Sequence, residues 1–140
     1  MRKKNSNIVH CTATPAGRHV SVADISLWHR QRGFVTAGYH YVVYLDGSVH
    51  PARPVATPGA HCLGHNADSI GVCYVGGVDS RGAAADTRTP AQREALRSLL
   101  RKLVEAYPGV TIHGHRDFAA KACPCFDATT EYSDLCSGSV

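Results

Sequence analysis

The stretch GHRDFAAKACPCFD, residues 114 to 127, crowds a histidine, a lysine and two cysteines into one short segment near the C-terminus. The residue that complements it, His10, stands at the far end of the chain. A fold that uses both must bring the two ends of the polypeptide to one place. Imidazole nitrogen and thiolate sulfur are zinc donors, and a hydrolytic zinc centre takes three protein ligands while leaving one position for water. His10, His115 and Cys123 would supply that set. Seven residues separate His115 from Cys123, enough for a strand end and the loop after it to converge on one ion. Nine histidines and six cysteines offer many other trios, and spacing alone does not choose among them.

Periodicity and turn chemistry place these residues on a scaffold. Asn7 to His10 reads as a strand. Ser21, with Asp24 three positions on, opens a helix in which Ile25, Trp28, His29 and Arg32 share a face until Gly33 stops it, so Ile25 and Trp28 are expected in the core. Tyr39 to Leu45 and Ser48 to His50 flank Asp46-Gly47, the signature of a hairpin closed by a type I′ turn. Alternation puts Tyr39, Tyr41 and Val43 on one face and His40, Val42 and Tyr44 on the other. Ser69 to Val75 is short and mostly apolar, as a buried central strand is. Thr89-Pro90 with Gln92 is an N-cap, a first-turn proline and a capping-box partner. A long helix to about Tyr107 follows, buried along Leu96, Leu99, Leu100, Leu103 and Val104. Val110 to His113 makes a last strand. The sum is an α/β fold, a central mixed β-sheet flanked by helices, and 140 residues with 44% hydrophobic content fit one domain.

Several choices stay open at this level. His113 and His115 lie two apart and point the same way if the strand runs on, so either would reach a metal. Cys125 rivals Cys123 through the CPC spacing. The six cysteines, Cys11, Cys62, Cys73, Cys123, Cys125 and Cys136, suit three disulfides only in a secreted domain, and no export signal precedes them; a Cys125–Cys136 bridge stays open for an oxidising compartment. The net charge of +4 is dispersed, densest at Arg2 to Lys4 and along Arg93, Arg97, Arg101 and Lys102. That last set falls at the spacing of a solvated helix face rather than a nucleic-acid surface. No apolar run is long enough to serve as a signal core or cross a membrane, so the chain is expected to be made in the cytoplasm.

Six collinear motifs carry a resemblance: IVHCTAT at 8 to 14, WHRQRGF at 28 to 34, GYHYVVYLDGSV at 38 to 49, GAHCLGHNADSIGVCYVGG at 59 to 77, TPAQREALRSLL at 89 to 100, and GHRDFAAKACPCFD. The chain resembles the zinc N-acetylmuramoyl-L-alanine amidases shared by phage endolysins and peptidoglycan recognition proteins. The resemblance implies Zn2+ held by His10, His115 and Cys123, since that family's second histidine lies eight positions before the cysteine. It implies catalytic support from Tyr39 and Lys121. It also implies a substrate groove lined by His61 and Asn66.

The activity implied is hydrolysis of the amide between N-acetylmuramic acid and L-alanine in peptidoglycan. Some relatives use a glutamate base, but Glu94, Glu105 and Glu131 fall outside the site motifs, which resembles the tyrosine-using endolysin branch. Asp117 is expected to orient a ligand imidazole or to cap a turn. The expected partner is peptidoglycan, glycan strand and stem peptide together, with no nucleic acid and no membrane, for a monomer. The expected organisation is one catalytic domain over 1–140, with a core of about 7–128 and no separate wall-binding domain. Such a protein would reach the cell wall after release through a separate pore. A cytoplasmic muropeptide-recycling amidase and a noncatalytic peptidoglycan-binding module are the alternatives.

Overall fold

A computed structural model describes residues 3–34 and 36–137. Arg2 of the basic N-terminal patch and residues 138–140 of the tail lie outside the described residues. The chain opens with β1 (Ser6–Cys11), buried along its whole length, and the short β2 (Thr14–Pro15). Helix α1 (Val22–Gln31) begins where Ser21 and Asp24 cap each other's backbone amides, which satisfies two donors that a helix start leaves orphaned. Strands β3 (Tyr41–Val43), β4 (Val49–Pro51), β5 (Ser69–Tyr74) and β6 (Gly77–Val78) follow. Thr89 and Gln92 form the same reciprocal cap at the head of α2 (Pro90–Ala106). Then come β7 (Thr111–Gly114) and two short helices, α3 (Ala128–Glu131) and α4 (Ser133–Ser137).

The main sheet runs β4-β3-β5-β1-β7, with β4 antiparallel at one edge and the other pairings parallel. β2 and β6 pair separately. β1 therefore lies between β5 and β7, with His10 beside Cys73 and Val9 beside Gly114. The two faces differ in kind. Toward α2, Val9, Val43, Ile70, Val72, Tyr74 and Ile112 pack on Leu96, Leu99, Leu100 and Leu103. On the other face β5 presents Ser69, Gly71 and Cys73, side chains too small to fill the space themselves. A smaller cluster of Val20, Ile25, Ala37, Val42 and Val75 covers part of that face, with Trp28 half-buried against it.

Two local expectations are corrected. The Tyr44 amide donates to the Ser48 carbonyl and the Gly47 amide to the Tyr44 carbonyl, both at 2.9 Å. The hairpin loop is therefore three residues long, Leu45 to Gly47. Gly47 has φ of 87° while Asp46 does not take positive φ, so this is a type I turn ending in a left-handed glycine and not a type I′ turn, which needs both central residues left-handed. Asp46 instead accepts from the Ser48 amide and hydroxyl. Tyr39 also leaves the face of Tyr41 and Val43: β3 starts only at Tyr41, the backbone bends at His40, and the Tyr39 ring packs with Val42 on the opposite side.

The helical arginines read as expected: Arg93 meets Asp86 at 3.1 Å and the half-buried Arg97 meets Asp134 at 2.9 Å, surface pairs that contribute little. All six cysteines are free thiols, and Cys125 lies against Cys11 rather than Cys136, so the Cys125–Cys136 bridge is not formed. Among the described residues no helix is long and apolar enough to cross a membrane.

Gln92 does more than cap. Fully buried, it reaches from α2 to the Val75 carbonyl at 2.9 Å and to that of Val43 at 3.4 Å. Gln92→Ala would take the side-chain donor from the buried Val75 carbonyl and open the cap, so urea denaturation should register a loss of about 2–3 kcal/mol.

Candidate metal centre

Parallel strands that end together make a shared rim, the usual place for ligands in open α/β sheets. His10 is the penultimate residue of β1. His115 follows β7, the neighbouring strand, where the chain leaves extended backbone for a single 3₁₀ turn, His115–Asp117. Cys123 arrives from the loop that follows. The nearest ligand atoms of His10, His115 and Cys123 all lie within 4.8 Å of one another. The His10 Nδ1 is 3.9 Å from the Cys123 sulfur, and the Cys11 amide donates to that sulfur at 3.2 Å.

The turn at His115 separates the two histidines that alternation had placed together. His113 is turned to Thr111 (Nε2 to Oγ1, 2.8 Å) and to Phe118, and is not in the ligand group. Asp117 accepts from the Gly114 amide and the Thr129 hydroxyl, which is the turn-capping outcome. The CPC segment straddles the end of β1. Cys123 faces His10, whereas Cys125, with left-handed backbone (φ 72°), sends its sulfur to Cys11 Sγ at 3.9 Å and to the Gly77 carbonyl at 3.4 Å. Burial pushes the Cys125 thiol up to about 11, so it is protonated at neutral pH.

The remaining candidates surround this cluster. Tyr39 packs its ring 5.1 Å from that of His10; burial first, then the nearby cysteines Cys73, Cys123 and Cys11, holds its pKa well above the usual phenol range. Lys121 is exposed in the loop before Cys123, and its positive charge is felt by both His10 and His115. His61 is buried and lies behind His10, its Nδ1 2.8 Å from the His10 Nε2. The Asn66 side-chain oxygen accepts from the amides of His61 and Cys62 at 2.8 and 2.9 Å. A groove of about 550 Å³ reaches the cluster at His115, with Tyr39, His61, Asn66 and Lys121 also in its wall. Among the described residues no carboxylate lines it. A hollow of about 640 Å³ at the far end of α2, by Arg101, Glu105 and Thr111, contains no histidine and has no comparable chemistry.

Sequence reasoning missed His29, Arg32 and Ser69. His29 is buried, accepts from the Gly38 amide and packs on Tyr39 in the groove wall, where Arg32 joins it. Ser69 lies behind His61. The readable signal was the run Ser69, Gly71, Cys73 on one face of a buried strand, which requires bulk from elsewhere to fill the space above it.

Comparison with known proteins agrees with this architecture. The N-acetylmuramoyl-L-alanine amidase family model matches residues 2–126. The endolysin of Klebsiella phage KP32 is 45% identical over 127 residues, covering 90% of this chain and 84% of that protein. The solved N-acetylmuramoyl-L-alanine amidase LysC from Clostridium intestinale URNW gives a TM-score of 0.80 at 27% identity, over 95% of this chain and 84% of that one. Wild-type Drosophila PGRP-LB gives 0.79 at 22% identity, over 95% and 81%, a likeness of fold alone.

Two measurements check the site's electrostatics and ligand geometry. Burial lowers the pKa of His10, His29 and His115, with neighbouring positive charge adding to it at His10 and His115 from Lys121 and at His29 from Arg32. The unfolded chain then binds more protons than the folded one once pH falls below about 6.5. Without metal, the urea midpoint should drop between pH 7 and pH 5, above the range where carboxylates contribute; a flat profile would contradict neutral buried imidazoles. Cys125→Ser should bind zinc as the parent does in a chelator competition, because Cys125 faces away from His10.

Proposed function

We propose, on the premise that the chain belongs to the N-acetylmuramoyl-L-alanine amidase family, that it hydrolyses the amide between the lactyl group of N-acetylmuramic acid and the first L-alanine of the peptidoglycan stem. We read it as an endolysin that reaches the cell wall after release. The observation that carries this reading is the convergence of two imidazoles and one thiol from opposite ends of the chain beside an open groove.

The donor set fits zinc. His10, His115 and Cys123 would hold it, with the Cys11 amide donating to the Cys123 sulfur. Bound there, zinc lowers the pKa of a coordinated water from about 16 to roughly 7 and polarises a carbonyl. The chain's own residues supply the rest. The groove admits an extended stem peptide to the rim of the sheet and presents no acid to it. Negative charge builds on the scissile oxygen as the carbonyl becomes tetrahedral. Lys121 Nζ is the mobile cation suited to meet it, a contact type worth about 3–4 kcal/mol. Tyr39 Oη keeps its proton at any physiological pH, because burial opposes ionisation, and therefore acts as a hydrogen-bond donor. The departing amine must acquire a proton, and the Tyr39 hydroxyl, which burial keeps protonated, stands in the groove wall to donate it. The absence of a carboxylate in the groove wall supports this division of labour over one with a glutamate base.

Purified walls distinguish the enzyme from a binding module. The protein should clear their turbidity and release new L-alanine amino termini, and a chelator should abolish both. Binding without new amines would refute the hydrolase. Lys121→Ala and Tyr39→Phe should each retain zinc and fold while turnover falls by about 10²-fold or more; parental rates in both would remove these roles. Higher activity on polymeric wall than on small anhydro-muropeptides is expected of an endolysin, and the reverse preference would favour muropeptide recycling.

A further inference from the structure

We propose that His61 is a positioning residue for the metal centre: a buried relay from a backbone carbonyl through Ser69 and His61 fixes the His10 proton on Nε2 and leaves the Nδ1 lone pair facing Cys123. The inference rests on the reading of His10 as a zinc ligand.

The direction of each hydrogen bond follows from the end of the chain of contacts. Ser69 Oγ is 2.6 Å from the His65 carbonyl. A carbonyl only accepts, so the serine's single proton is committed there. Ser69 Oγ is also 3.2 Å from His61 Nε2, and with its own proton spent it must accept, which puts a proton on His61 Nε2. A neutral imidazole carries one proton, so His61 Nδ1 has a lone pair. That atom lies 2.8 Å from His10 Nε2, a separation that requires one proton between the two nitrogens, and His10 supplies it. His10 Nδ1 is left unprotonated, 3.9 Å from the Cys123 sulfur. The opposite tautomer would put the lone pair on the nitrogen pointing away from Cys123, and His10 could not ligate on that side.

The relay occupies a prepared slot. His10 and Ser69 are 1% and 0% exposed, and His61 8%. A Cβ on Gly71 would come within 2.7 Å of the His61 ring, so glycine on β5 makes the space the imidazole fills. Asn66 holds the His61 loop through the amides of His61 and Cys62. Both His61 ring nitrogens are thus engaged within the fold. The residue acts on the substrate's amide through His10 and not through a contact with the stem peptide.

Long-range 1H–15N correlation spectra of the metal-free parent protein test the relay directly. The Nε2–H tautomer is expected at both His10 and His61, and an Nδ1–H tautomer at His10 would overturn the proposal without any mutation. Zinc affinity by competition with a chromogenic chelator is the second readout. His61→Ala, confirmed folded by its urea transition, should bind zinc about 10- to 100-fold more weakly. His61→Asn, whose side-chain oxygen can stand where Nδ1 stands, should recover most of that loss. Parental affinity in His61→Ala would refute the proposal. If His61→Ala does not fold, Ser69→Ala takes its place, expected to weaken zinc binding and to let the Nδ1–H tautomer appear at His10; parental affinity and an unchanged His10 tautomer in that variant would equally refute it. A parent protein that bound no zinc would remove the amidase mechanism, while the tautomer spectra would still decide whether the relay exists.

Discussion

Parallel pairing of β1 between β5 and β7 is the constraint on which the site depends. His10 and His115 are separated by most of the chain, and no local rule brings them together. Hydrogen bonding that sets Val9 beside Gly114 does so by registering the two strand ends, and the 3₁₀ turn then swings His115 over the rim. Parallel strands need crossovers, and here the crossovers contain much of what surrounds the site: α1 brings His29, the loop before β5 brings His61 and Asn66, and α2 covers the opposite face. The register is held by the leucine stripe of α2, where a slip of one residue would exchange Val9 with His10 and bury an imidazole among leucines.

The second organising feature is the asymmetry of β5. Its α2 face carries Ile70, Val72 and Tyr74, which pack the core. Its other face carries Ser69, Gly71 and Cys73, and each meets a residue of the site: Ser69 and Gly71 the His61 ring, Cys73 the Tyr39 side chain. One strand therefore serves stability and chemistry through period-two alternation alone. The small residues cost core volume on that side, and the aromatic rings of the site replace it, so the polar cluster is packed rather than cavity-forming.

What could be read from the sequence divides along this line. Both capping boxes, the leucine stripe of α2 and the buried strands follow from rules acting over a few residues, and they stand where Ser21, Asp24, Thr89, Gln92 and the apolar pattern put them. The three-residue hairpin loop was hidden because Asp-Gly suits two turn geometries, and the choice fell to the Tyr44–Ser48 pairing. Tyr39 escaped alternation because a bend at His40 intervenes. His61 stands in the groove wall, as the resemblance implied; its contact with His10 depends on a strand 51 positions away and has no local signature. His10, His115 and Cys123 were gathered by motif resemblance, since spacing alone leaves many trios equal.

Three sulfurs near one candidate metal centre raise a question of selectivity that the geometry answers. Cys11, Cys123 and Cys125 are neighbours, yet alternation sends the Cys11 side chain to the α2 face while its amide stays at the rim, donating to Cys123. Cys125 follows Cys11 to that face, held by the left-handed backbone at residue 125 and by the Gly77 carbonyl. Burial keeps Cys125 protonated, and hydrogen bonding with Cys123, then burial, raises the Cys11 thiol far beyond its ordinary range. Only Cys123 combines a half-exposed position, an amide donor and two imidazoles within reach. The same strand end that delivers His10 therefore also decides which of three adjacent cysteines faces the imidazoles.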